Sequence, residues 1–261
     1  MAEFFNTVLY EPLFNGLIYI YDVLPWKDLG IAIIVLTLLI KLVLYLPSRS
    51  SIRSQKTLQE TQPKLDAIKA KYKDNREEMG KQLMSFYKQN KVNPFSSCLP
   101  LLIQLPILIA LYRVFFGGLT TDSETGVLVA DQVKHLYGYL KDTYTTTPVN
   151  LMFLGFVDLA EKGNYILAFL AGGLQFLQGK MMMRKKPEID TKGSKDEGKS
   201  AAINRQMMYF MPVITVIFGI QFPAGLTLYW ATSTLFQVGQ QYLLFRDKNT
   251  KKVIPQVIDQ K

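Results

Sequence analysis

Cysteine and histidine occur once each in this chain, as Cys98 and His135. A single cysteine cannot close an internal disulfide, and two lone candidates this far apart argue against a metal cluster or a Cys–His catalytic pair. A glycine-rich phosphate loop and a serine nucleophile elbow are missing too. The residues therefore give an enzyme little support, and neither a cofactor nor a metal is expected. Carboxylates are absent from every long apolar run, and no internal repeat relates those runs to one another.

What is present is apolar residue in blocks. Hydrophobic residues make up 49% of a chain whose net charge is +9, a combination unusual for a soluble enzyme. The blocks cover 29–46, 98–116, 165–183, 207–222 and 225–245, each near the roughly 20 residues that a bilayer requires. This pattern predicts an all-α, polytopic membrane protein with five transmembrane helices. The fourth block is the shortest, and only Pro223 and Ala224 separate it from the fifth, so these two form a tight helical hairpin.

Charge sets the expected orientation, since Lys and Arg in short loops favour the cytoplasmic side. Residues 49–91, 180–205 and the tail from 246 are basic. The segment 117–163 is mostly acidic, with Asp122, Glu124, Asp131, Asp142, Asp158 and Glu161 opposed by Lys134, Lys141 and Lys162. Five alternating spans place every basic segment inside and the acidic one outside.

The expected division is an outer interfacial segment at 1–28, transmembrane helices at 29–47, 98–116, 165–183, 207–222 and 225–245, a cytoplasmic helical hairpin at 48–97, an outer loop with short helices at 117–164, a flexible cytoplasmic loop at 184–206 and a basic cytoplasmic tail at 246–261. In the first segment Phe4, Phe5, Leu9, Leu13, Phe14 and Leu17 recur at helical spacing, with Tyr19, Tyr21 and Trp26 at headgroup level. A sixth span is the competing reading of 4–24. No basic region precedes a short apolar stretch, so a removable signal peptide is not expected. In the hairpin, Leu65, Ile68 and Tyr72 form one apolar seam and Met79, Leu83, Phe86 and Tyr87 another, with Pro63 expected to mark a kink or break. Its basic face suits either anionic lipid or a docking ribosome, nascent chain or partner protein.

Lys41 is the one charge in the first apolar block. Such a charge costs about 2.5–3.5 kcal/mol at a helix centre on insertion scales. It either snorkels toward the nearer interface, roughly 9 Å away at 1.5 Å per residue, or is kept for use. With no Asp or Glu in any span to pair with, the ammonium needs water or polar neighbours. Candidates are Thr37, one turn earlier, and Gln104, Gln175, Gln178, Thr227, Thr232, Ser233, Thr234 and Gln237 on later spans. The inference is a polar, hydrated indentation in the inner half of the bundle.

Four stretches carry a family resemblance: TLLIKLVLYLP, LQETQPKLDAIKAKYKDN, MSFYKQNKVNPFSSCLPLLIQLPILIALYRV and MMYFMPVITVIFGIQFPAGLTLYWATSTLFQVGQQYLL. On these the chain resembles the YidC/Oxa/Albino membrane protein insertases from Trp26 to Arg246, and five spans resemble the compact bacterial form. The resemblance implies a hydrophilic groove open to cytoplasm and lipid, with Lys41 standing where most members carry arginine. It also implies that Thr37, Gln104, Gln178, Trp230 and Ser233 line that groove, Trp230 in place of a more usual tyrosine. The implied function is insertion of nascent or newly made small membrane proteins into the bilayer of the bacterial cytoplasmic membrane. Ribosome, signal recognition particle system and Sec channel are implied partners, without specific nucleic acid, and the hairpin is expected to be mobile. A small-anion transporter or channel and a structural assembly factor are the alternatives from other classes.

Overall fold

A computed structural model describes residues 2–90, 99–119, 121–122, 125–182 and 195–246. Cys98, residues 184–194 of the expected flexible loop and residues 247–261 of the basic tail lie outside the described residues. The chain divides into two compact units. The first comprises Met1–Leu44, Leu101–Gln175 and Pro212–Phe236, and the second Tyr45–Pro100, Phe176–Met211 and Gln237–Lys261.

The first unit begins with α1 (Ala2–Phe5), a π-helical turn (Asn6–Tyr10) and α2 (Glu11–Val23). Its buried face is Tyr10, Phe14, Leu17, Ile18 and Tyr21, the i, i+4, i+7, i+8 spacing of one helix stripe. This stripe is rotated from the expected one. Phe4 is 73% exposed, whereas Tyr21, expected among headgroups, is buried because its hydroxyl accepts from Asn150 N at 2.9 Å. Tyr19 and Trp26 are exposed.

Pro25 ends this helix, since the residue before a proline is driven out of helical geometry; Leu24 is extended, with ψ 127°. Asp28 then caps α3 (Leu29–Val43), one carboxylate oxygen accepting from Ile31 N at 2.9 Å and the other from Leu154 N at 2.8 Å. α3 stops earlier than the expected 47. Pro47 has no N–H for the carbonyl of Val43 and its ring crowds that carbonyl, so the helix breaks at Leu44 and Pro47 falls in the first turn of α4 (Tyr45–Lys71), where a missing N–H costs nothing.

The acidic segment between α6 (Leu99–Arg113) and α9 (Tyr165–Met182) contains α7 (Ala130–Val133), α8 (Gly138–Tyr144) and a two-stranded antiparallel pair, β1 (Met152–Phe153) with β2 (Val157–Asp158). Polar anchors tie it to the N-terminal helix. Asn15, buried, donates to His135 O at 2.8 Å and accepts from Tyr137 N at 2.7 Å. Glu11 accepts from His135 Nδ1 and from the Tyr137 hydroxyl, each at 3.0 Å. Tyr144 donates to Asp22 at 2.9 Å. Phe153 lies so close over Gly30 that a Cβ there would meet its ring at 2.1 Å.

α10 (Lys195–Gln221) and α11 (Ala224–Arg246) meet at the expected tight connection. It is held from outside: Ala224 N donates to Glu161 O at 2.8 Å, Gly225 N to Leu159 O at 2.9 Å and Gly163 N to Ile220 O at 2.8 Å. Gly219 packs on Ala168, 3.1 Å from where its Cβ would stand. Small residues at facing positions are what let helices approach closely without a hydrophobic drive between them.

In the second unit, α4 (Tyr45–Lys71) packs on α5 (Arg76–Gln89) across the turn Tyr72–Asn75. Asn75 caps α5 by accepting from Glu78 N at 3.0 Å. α4 runs on through Pro63 without the expected break, and the Thr61 hydroxyl just ahead donates to the carbonyls of Thr57 and Leu58, each at 3.0 Å.

Among the described residues no single helix is long and apolar enough to cross a membrane; Leu29–Val43 and Tyr45–Gln62 meet that requirement only as a pair. The break at Leu44 shortens α3, while glycine, threonine and glutamine dilute α9 and α11. The core is apolar, but polar side chains share it while large apolar ones face outward. Thr37, Lys41, Thr227, Ser233 and Thr234 are buried, whereas Val43 is 81%, Ile166 80% and Phe169 63% exposed. Apolar faces this large need a covering phase.

Two outcomes follow. Gly30→Ala drives a methyl into Phe153, and thermal unfolding in detergent should show a loss of about 1–3 kcal/mol. The hydrogen bond from His135, then that from Tyr137, hold the Glu11 carboxyl below its usual range. That contribution is complete above the ordinary value of 4.5 and fades as pH falls through the lowered one. The protection of residues 125–150 against hydrogen exchange should therefore fall on acidification through that range, and Glu11→Gln should flatten the response.

Candidate functional site

Lys41 lies on the last turn of α3, on the face that carries Thr37 one turn before it. The residue is only 7% exposed. Among the described residues it forms no ion pair; the ammonium donates instead to Gln104 Oε1 at 3.0 Å. The orientation of that amide follows from chemistry. An ammonium can only donate, so the carbonyl oxygen of Gln104 must face Lys41 and its NH2 must face away.

The NH2 group has a partner of its own, donating to the hydroxyl of Tyr229. Tyr229 is buried on α11, and the hydroxyl of Ser233, one turn further on, is within hydrogen-bonding reach of the Tyr229 oxygen. Lys41, Gln104, Tyr229 and Ser233 thus form one polar string linking α3, α6 and α11. Uncharged dipoles serve where a carboxylate would otherwise be needed.

The hydrogen bonds of the string do not include the other expected residues, Thr37, Gln178 and Trp230. Thr37 is 1% exposed and spends its hydroxyl on Ile33 O at 2.6 Å, within its own helix. Gln178 belongs to the second unit, where it donates to Gln237 Oε1 at 2.5 Å. Trp230 is half-buried, and among the described residues no hydrogen bond from its indole is seen. The aromatic side chain that reaches the string is its neighbour Tyr229, which sequence reasoning passed over. The signal was available: Tyr229 and Ser233 are four apart and share a helix face, whereas Trp230 is turned by one residue.

Chemically the site offers one buried cation with hydrogen-bonding capacity beyond a single amide. Among the described residues no group of three or more His, Cys, Asp or Glu is placed to hold a metal ion. A buried ammonium in apolar surroundings attracts anionic oxygen far more strongly than the same group in water.

Comparison with known proteins adds a second line. Residues 19–252 match the family model described as 60Kd inner membrane protein. Membrane protein insertase YidC of Actinobacillus pleuropneumoniae serotype 3 is 31% identical over 243 residues, covering 92% of this chain and 37% of that protein. Membrane protein insertase YidC of Actinobacillus succinogenes is 33% identical over the same share of each. The protein of the same name from Syntrophobacter fumaroxidans is 34% identical over 83% of this chain and 34% of its own length. The chain therefore spans a little over a third of the length of the curated relatives it matches.

The string generates a contrast between adjacent aromatics. Tyr229→Phe strands the Gln104 NH2 and should cost about 1–3 kcal/mol in thermal unfolding. Trp230→Phe removes no observed hydrogen bond and should cost less than half as much.

Proposed function

Since the chain belongs to the 60Kd inner membrane protein family, the YidC/Oxa/Albino proteins, we propose that it is a membrane protein insertase and chaperone of the bacterial cytoplasmic membrane. The observation that carries the reading is Lys41: a buried cation without a carboxylate partner among the described residues, in a unit whose large apolar side chains face outward. Five spans cross the bilayer, with the α4–α5 hairpin and the basic segments in the cytoplasm, as the charge asymmetry favours.

The work is physical rather than covalent. A cation and polar groups in the inner half of the membrane shorten the apolar distance that a polar segment must cross. The acidic N-terminal tail of a small membrane protein docks transiently at Lys41, in a groove that Thr37, Gln104, Trp230 and Ser233 line with Tyr229. Its apolar segment then slides along the exposed faces of α9 and α11 into lipid, drawn by hydrophobic burial, while the membrane potential acts on the tail. The protein acts alone or beside a Sec channel, and the basic cytoplasmic segments meet the ribosome or the signal recognition particle system.

In proteoliposomes, Lys41→Glu should lower insertion of substrates with acidic tails about tenfold or more, and Lys41→Ala should lower it less. Lys41→Arg should be tolerated, because a cation is retained. Undiminished insertion by Lys41→Glu would remove the electrostatic part of the mechanism.

A further inference from the structure

Resting on that reading, we propose that Gln104 is a built-in stand-in for the substrate carboxylate: its amide carbonyl occupies the Lys41 ammonium until an acidic tail displaces it, and Tyr229 sets how readily it leaves. Three observations carry this. The amide oxygen sits 3.0 Å from Lys41 Nζ, where a carboxylate oxygen would sit. Lys41 is buried while Gln104 is only half-buried, so the residue that must move is the less enclosed of the two. The far side of the amide is held by the Tyr229 hydroxyl, which keeps the carbonyl pointed at the cation and opposes its rotation.

Glutamine suits this role for a chemical reason. It has the shape of glutamate and offers the same acceptor oxygen, but without charge. It therefore relieves the cation of an unsatisfied burial, yet forms a weaker bond than the charge-assisted one that an Asp or Glu in a substrate provides. Exchange is downhill for an acidic tail and uphill for a neutral one. Discrimination comes from the difference between two acceptors competing for one donor, as specificity generally does. Gln104 is a specificity-determining residue on this account and Tyr229 a positioning residue.

The test is the ratio of insertion of an acidic-tail substrate to that of the same substrate with a neutralised tail, measured in proteoliposomes. Gln104→Glu places a permanent carboxylate on Lys41 and should lower the ratio about tenfold or more. Gln104→Leu, similar in size but without an acceptor, removes the competitor and should raise the ratio severalfold. Tyr229→Phe frees the amide to turn away and should also raise it, a change that loss of stability alone would not produce. A ratio within twofold of the parent for Gln104→Glu, or a fall with Gln104→Leu equal to that with Gln104→Glu, overturns the inference. If Lys41→Glu also leaves the ratio unchanged, the proposed function fails with it; if the ratio still depends on Lys41, only the stand-in role of Gln104 fails.

Discussion

A cation enclosed by apolar helices, without a carboxylate partner among the described residues, must be solvated by dipoles, and that requirement ties three helices of the first unit together at Lys41. The amide of Gln104 meets the ammonium, Tyr229 fixes the amide, and Ser233 stands beside Tyr229. Gln104 comes from α6, and Tyr229 and Ser233 from α11, so the position of one charge constrains the packing of α3, α6 and α11 together. Hydrophobic burial cannot do this in a lipid setting, where side chains such as Val43 and Ile166 gain nothing by turning inward. Polar bonds and close approach of small residues, Gly219 on Ala168 among them, supply the specificity instead.

Much of this could be read from the residues because it rests on local chemistry. The apolar blocks became helices, the short connection at Pro223 formed, and the basic segment after the first block folded into α4 and α5. Lys41 and Gln104 stood out as polar residues in apolar runs, and they meet. The number of spans is a different matter: it depends on where lipid begins and ends along helices whose composition glycine and glutamine dilute.

What stayed illegible has identifiable causes. What a proline does depends on its place within a helix, which the pattern of residues alone does not fix. Pro47 lands in a first turn and forces the preceding helix to stop at Val43, while Pro63 is absorbed inside α4 with Thr61 bonding the carbonyls before it. Tyr21 reads as an interfacial aromatic, yet its hydroxyl accepts from Asn150 N, and the hydroxyl of Tyr10 donates to Gln132. No local rule could have supplied those pairings. Motif matching points to Trp230, while the helix face shared with Ser233 points to its neighbour Tyr229.

The anchoring of the N-terminal helix bears on the protein's own biosynthesis. Asn15 completes its hydrogen bonds with His135 and Tyr137, residues 120 and 122 positions further along. At typical translation speeds of roughly 5–20 residues per second, α2 leaves the ribosome roughly 6–24 s before those partners exist. Throughout that interval the polar amide of Asn15 and the aromatic stripe beside it stand unfinished. The newborn chain thus passes through the same predicament, a half-made membrane protein with exposed polar and apolar groups, that the finished protein is proposed to relieve in others.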